Sequence, residues 1–178
     1  MKDQMHNQGE LEELCLLIEK EVSALTQIKE KSEAPFVVVL GGSKVSDKIE
    51  VIESFLDVAD TIIIGGAMAF TFLKAMGISV GTSMVEEDKV SIAADFIKRF
   101  EARDKQLLLP IDHVIVENFS QPENPKTTSG QSIESGFMAL DIGPKSCELF
   151  SKVILNAKSV FWNGPMGVLW RGLNTAVS

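Results

Sequence analysis

Cysteine is scarce in this chain, with only Cys15 and Cys147 among 178 residues. The two form no C-x-x-C and no metal-ligand spacing, which excludes a disulfide framework and a zinc site and fits a reducing, cytoplasmic setting. Positive charge is short as well: 17 Lys plus Arg stand against 25 Asp plus Glu, a formal net charge of −8. Such a balance repels phosphate backbones and anionic bilayers at long range, so no nucleic-acid or membrane partner is expected, although a local basic patch can still hold a small anion. No stretch approaches the roughly 18 apolar residues that span a bilayer. Residues 1–9 are polar with no apolar signal core behind them, and without an export signal the triplet Asn118-Phe119-Ser120 reads as chance. The two histidines, His6 and His113, lack a serine or cysteine partner in a nucleophile elbow and read as terminal or surface residues. Both G-x-x-x-x-G-K-[ST] and a strand followed by G-x-G-x-x-G are missing, which disfavours a P-loop enzyme and a dinucleotide-binding dehydrogenase.

Apolar residues, by contrast, make up 45% of the chain. A chain of this length can bury roughly 70% of its unfolded surface, enough for one domain of generous size or slightly more, and disorder is excluded for most of it. Leu11, Leu14, Cys15, Ile18, Val22, Leu25 and Ile28 describe one stripe of a long helix over residues 9–29. After the break at Pro35, the run Phe36-Val37-Val38-Val39-Leu40 predicts a strand buried on both faces, bounded by Gly41-Gly42. The unit then recurs: a helix through Val45, Ile49, Ile52 and Leu56, a strand over residues 61–64 and a second pair, Gly65-Gly66. A helix from Met68 to Met76 ends at Gly77, and another runs through Val90, Ala93, Ile97 and Phe100. Strands follow over 107–110 and 113–116, then an excursion over 117–136 without apolar period, read as surface. A strand over 137–140, a helix through Phe150, Val153 and Ile154, and a last strand over 159–162 complete the pattern. Alternation of this kind predicts an α/β domain of Rossmann-like, three-layer type, with a mainly parallel sheet open at its edges and helices on both faces.

In such a sheet the carboxyl ends of the strands share one rim, and ligands bind beyond it. Gly41, Gly42, Gly65, Gly66, Gly143, Gly164 and Gly167 all fall there. In the first loop, Lys44 and Lys48 lie four apart on one face at the start of a helix. A helix N-terminus disfavours cations by roughly 0.3–1 kcal/mol each. An anion on free backbone N–H groups there would remove that objection and draw both lysines to it. Met84, Leu140 and Val168 are core residues by composition and candidate apolar walls only by adjoining this rim.

Six segments in order carry a resemblance: residues 34–49, with Gly41-Gly42-Ser43-Lys44-Val45-Ser46-Asp47-Lys48; Ile64 to Lys74; Glu86-Glu87-Asp88-Lys89; Leu109-Pro110-Ile111-Asp112; Leu140-Asp141-Ile142-Gly143-Pro144-Lys145; and Phe161-Trp162-Asn163-Gly164-Pro165-Met166-Gly167-Val168. From about Leu14 to Val168 the chain resembles the C-terminal nucleotide-binding domain of the phosphoglycerate kinase family. That resemblance implies reversible phosphoryl transfer between 1,3-bisphosphoglycerate and Mg-ADP in glycolysis. It implies Lys44 as the lysine that stabilises the transferring phosphoryl group and Lys48 as a nucleotide-phosphate ligand. Gly42 and Ser43 would lie against the nucleotide, Gly65, Gly66, Ala67, Met84, Leu140 and Val168 around the adenine, and Asn163 at a phosphate. Phosphoryl transfer is largely positioning and neutralisation of charge, which agrees with the lysine argument.

Departures from the family pattern qualify these expectations. Trp170 stands where the family has the acidic residue that binds the ribose, and it cannot accept those hydrogen bonds. The family's Gly-Gly-Gly-Asp loop, whose aspartate serves the metal, its final strands and its phosphoglycerate-holding domain have no counterpart in these 178 residues. The implied organisation is an interdomain-type helical segment over 1–33, a nucleotide domain over 34–170 missing its last strands, and a divergent tail over 171–178. Such a chain would bind Mg-ADP or Mg-ATP, meet phosphoglycerate only if the other domain were supplied, hold no metal of its own, and turn over weakly or not at all. The alternative is a non-catalytic nucleotide-binding or protein-interaction fragment that uses its exposed sheet edge.

Overall fold

A computed structural model describes residues 32–120 and 124–168. The chain divides into two units, Met1–Glu33 and Ala34–Ser178, and the fold below is that of the second. The helix expected over 9–29, Trp170 and the tail over 171–178 lie outside the described residues. In chain order the elements are β1 (Phe36–Leu40), α1 (Ile49–Phe55), β2 (Thr61–Ile64), α2 (Met68–Ala75), α3 (Val90–Glu101), β3 (Gln106–Leu108), β4 (His113–Val116), β5 (Lys126–Thr127), β6 (Met138–Ile142), α4 (Pro144–Leu155) and β7 (Ser159–Asn163). Short 3-10 turns at Ser46–Lys48 and Glu87–Lys89 precede α1 and α3.

Strands β3, β2, β1 and β7 lie side by side in that order, all parallel. Every residue of β1 and β2 is buried, as their unbroken apolar runs require. On one face Val37, Val39 and Ile63 pack against Phe150 of α4. On the other, the Phe36 ring meets Phe55 of α1 edge-on at 5.8 Å, and Phe55 lies 4.9 Å from Phe161 of β7. Helices thus cover both faces of a parallel sheet. The start of β1 is pinned by Asp60, whose carboxylate accepts the Phe36 N–H at 2.7 Å while its own N–H donates to the Phe36 carbonyl at 3.0 Å.

Two expectations are corrected. The strands at 113–116 and 138–142 do not extend the parallel sheet; with β5 they form a separate antiparallel sheet in the order β5-β4-β6. The reason is connection length: only residues 109–112 join β3 to β4, and a parallel neighbour needs a crossover of about a dozen residues. Nor is 117–136 simply surface. It contributes β5, and Ile133 is 0% exposed, its N–H bonded to the Ser79 carbonyl at 2.8 Å while the Ser79 hydroxyl returns a bond to the Ile133 carbonyl at 2.8 Å. A single large apolar side chain in a polar segment is enough to bring it back to the core.

Candidate functional site

The carboxyl ends of β1, β2 and β7 bring the glycine loops together. The Gly41 N–H donates to the Asn163 carbonyl at 3.0 Å, the Gly65 N–H to Leu40 at 2.8 Å, and the Gly66 N–H to Met166 at 2.8 Å. Close approach demands glycine at two of these contacts. A Cβ on Gly41 would lie 2.0 Å from the Pro165 carbonyl oxygen; one on Gly66, at φ +66°, would lie 2.4 Å from the Gly42 carbonyl oxygen and 2.6 Å from the Gly42 nitrogen. The Met68 N–H then donates to the Gly42 carbonyl at 3.1 Å, tying the start of α2 to the lysine loop.

Between this rim and β6 opens a cleft of about 350 Å³. Gly42, Ser43, Gly66 and Ala67 form one wall, Ala139, Leu140, Asp141 and Ile142 another, and residues 165–168 close it. Of the residues implied by resemblance, Gly42, Ser43, Gly66, Ala67, Leu140 and Val168 border the cleft. Gly65 is buried behind it against Met166. Met84 does not border the cleft and is 57% exposed, which corrects its reading as core; its neighbour Ser83 accepts the Ala139 N–H at 3.0 Å.

Lys44 follows Ser43 of the cleft wall, is exposed, and makes no hydrogen bond or ion pair among the described residues. Lys48 is half-buried, and its ammonium donates to Oδ1 of Asn163, joining the first loop to the end of β7. Among the described residues neither lysine faces a carboxylate partner. The expectation of free backbone N–H groups at this helix start is corrected at one of them. Glu86 accepts the Ser46 N–H at 3.1 Å and the Ser46 hydroxyl at 2.7 Å. Burial works against the Glu86 carboxylate, but these hydrogen bonds outweigh it and hold its pKa below the ordinary 4.5.

Phe70, His113, Asp141 and Met166, none of them expected at the site, also line the cleft. His113 is corrected from a surface residue to one 1% exposed; its ring lies 5.6 Å from that of Phe70, and its Nε2 has no partner among the described residues. Burial lowers its pKa, against the opposing pull of the Gln131 carbonyl and the Asp112 carboxylate. Its place at the head of the apolar run His113-Val114-Ile115-Val116 was the available signal. Among the described residues Asp141 is the only acidic side chain bordering the cleft, and burial raises its pKa despite the bond from the Ile142 N–H. Below it, Asp112 is fully buried and takes the Lys145 and Ser146 N–H groups at 3.0 and 2.8 Å, fixing the start of α4.

Fold and site together define an α/β domain that presents an apolar cleft and, in the loop that follows Gly42 and Ser43 of its wall, two lysines without a carboxylate partner among the described residues, suited to an organic ligand carrying negative charge. The chain matches the phosphoglycerate kinase family over residues 10–171 and belongs to that family. Phosphoglycerate kinases of Clostridium botulinum (strain Langeland) and Clostridium perfringens (strain SM101) are each 51% identical to it over 152 residues, 85% of this chain but 38% of theirs. Among solved structures, phosphoglycerate kinase from Coxiella burnetii aligns with TM-score 0.75 at 36% identity, covering 85% of this chain and 40% of that one. The enzyme from Pyrococcus horikoshii OT3 aligns with TM-score 0.70 at 27% identity, covering 86% and 39%. The chain therefore spans well under half the length of the relatives it matches.

Proposed function

We propose that the chain is the C-terminal, nucleotide-binding part of a phosphoglycerate kinase, taking Mg-ADP or Mg-ATP for transfer of a phosphoryl group from or to a phosphoglycerate carried by the rest of the enzyme. The observation that carries this reading is the pairing of an apolar cleft of about 350 Å³ with two lysines that no carboxylate neutralises among the described residues. The base would lie between Ala67 and Leu140, within the walls that border the cleft. The phosphates would reach Lys48, steadied by Asn163, and Lys44, whose exposed ammonium is free to follow charge onto the transferring group. The magnesium ion arrives on the nucleotide. Without the phosphoglycerate-binding part, the isolated chain binds but turns over weakly or not at all.

Calorimetric titration with ADP, with and without Mg²⁺, tests the reading, and adenosine supplies the phosphate-free comparison. Saturable ADP binding little changed by Mg²⁺ is expected, weakened in Lys48→Ala by about tenfold to a hundredfold, the worth of one charge-assisted hydrogen bond. A folded sample that shows no saturable heat with ADP sinks the proposal. Catalysis has a separate readout: ATP formation from 1,3-bisphosphoglycerate, abolished in Lys44→Ala, would give the isolated chain activity of its own.

A second reading rests on β7, which has no neighbour on its outer edge among the described residues. Trp162 on this strand is 53% exposed and Leu155 at the end of α4 84% exposed around an apolar groove of about 470 Å³. An uncovered edge of this kind suits an interaction fragment. Concentration-dependent mass by light scattering, together with an absence of ADP binding, would favour it.

A further inference from the structure

Glu86 joins two parts of the candidate site that are remote in sequence. Its backbone N–H donates at 3.1 Å to Oγ1 of Thr71, which is 1% exposed on α2, so its own position is fixed to the helix that begins at the Gly66 loop. Its carboxylate then reaches the lysine loop, where Oε2 accepts the Ser46 N–H at 3.1 Å and Oε1 the Ser46 hydroxyl at 2.7 Å. Ser46 is midway between Lys44 and Lys48. Lys48 has Asn163 to orient it, but the Lys44 side chain has no partner among the described residues, so its location depends on the backbone that carries it.

We propose that Glu86 is a positioning residue: its carboxylate clamps Ser46 so that Lys44 and Lys48 converge on the same phosphate chain of a bound nucleotide. This rests on the nucleotide reading above. Two effects oppose each other when the carboxylate is neutralised. Removing a negative charge near exposed lysines tightens anion binding, but screening keeps such surface effects to about fivefold or less. Releasing these two hydrogen bonds frees the loop to sample arrangements in which the ammonium groups diverge, and the fraction of chains in the binding-competent state scales the affinity directly. The loop effect is the larger.

Titration of the full chain with ADP and with adenosine, for wild type, Glu86→Gln and Glu86→Asp, separates the outcomes. Glu86→Gln keeps the side chain's size but turns an amide toward backbone donors, and it is expected to weaken ADP binding about tenfold while leaving adenosine binding unchanged. Glu86→Asp should recover part of the loss. A purely structural role would lower both ligands alike. If wild type binds ADP and Glu86→Gln binds it equally or more tightly, or loses adenosine in the same proportion, the clamp is overturned while the nucleotide reading stands. If wild type fails to bind ADP, the reading falls and the clamp with it. Should Glu86→Gln not fold, Ser46→Ala decides instead: about threefold weaker ADP binding supports the clamp, and unchanged affinity overturns it.

Discussion

Gly66→Ala probes the geometry of the site without any ligand. Gly66 has φ +66°, and a Cβ there would lie 2.4 and 2.6 Å from the Gly42 carbonyl oxygen and nitrogen. The left-handed conformation alone costs a residue with a side chain about 1–2 kcal/mol. Both obstructing atoms are backbone and cannot swing aside, so reaching an ordinary contact of about 3.5 Å means parting the two loops by roughly 1 Å. That movement strains the Met68 N–H bond to Gly42 at 3.1 Å and the Gly66 N–H bond to Met166 at 2.8 Å. One buried donor left without a partner costs about 1–3 kcal/mol. The total is about 2–5 kcal/mol, a large part of the roughly 5–15 kcal/mol that holds a domain together. Gly77→Ala is the matched control, because Gly77 has φ +77° but nothing within 4 Å of the added methyl, leaving only the conformational cost of about 1–2 kcal/mol. Urea unfolding, with free energies extrapolated from midpoint and slope, should place Gly66→Ala about 1–3 kcal/mol below Gly77→Ala. Equal losses in the two variants would refute the steric argument.

Two further perturbations read the buried polar groups under the cleft. Burial depresses the pKa of His113 below 6.5, so the unfolded chain takes up a proton first as the medium is acidified. The stability tied to the neutral ring is complete above about pH 6.5 and is lost as pH falls through the folded value. His113→Leu should therefore flatten the decline in unfolding free energy between about pH 7 and pH 5; an unaltered slope would remove His113 as its source. Asp112→Asn keeps the acceptor that Ser146 uses at 2.8 Å but turns an amide toward the Lys145 N–H now bonded at 3.0 Å. Thermal unfolding should register a loss of about 1–3 kcal/mol, and a loss under about 0.5 kcal/mol would mean the start of α4 finds another partner.

How much of this was legible in the sequence depends on whether a residue's role is set by near or distant neighbours. The strands β1 and β2 are readable because burial on both faces forces a nearly unbroken apolar run of strand length. The rim glycines follow, since strand ends in a parallel sheet must share an edge. The run His113-Val114-Ile115-Val116 looks the same as those strands but belongs to the antiparallel sheet. Composition cannot separate the two cases; the brevity of the link at 109–112 can, and it outranks the apolar pattern because a crossover has a minimum length.

The site divides in the same way. Helical spacing puts Lys44 and Lys48 on one face, so the pair is visible locally. The groups that orient them are not: Asn163 meets Lys48 across 115 residues and Glu86 meets Ser46 across 40. In sequence Glu86 is one acid in Glu86-Glu87-Asp88, indistinguishable from a solvated surface run. Its neighbour Glu87 instead takes Lys74 into an exposed ion pair at 2.5 Å, the kind worth little to stability. What separates the two acids is the N–H of Glu86 on the buried Thr71 hydroxyl. A fixed backbone spares the carboxylate the ordering entropy that an exposed side chain would otherwise lose, which is why two hydrogen bonds converge on one acid of the run and a single surface contact falls to the next.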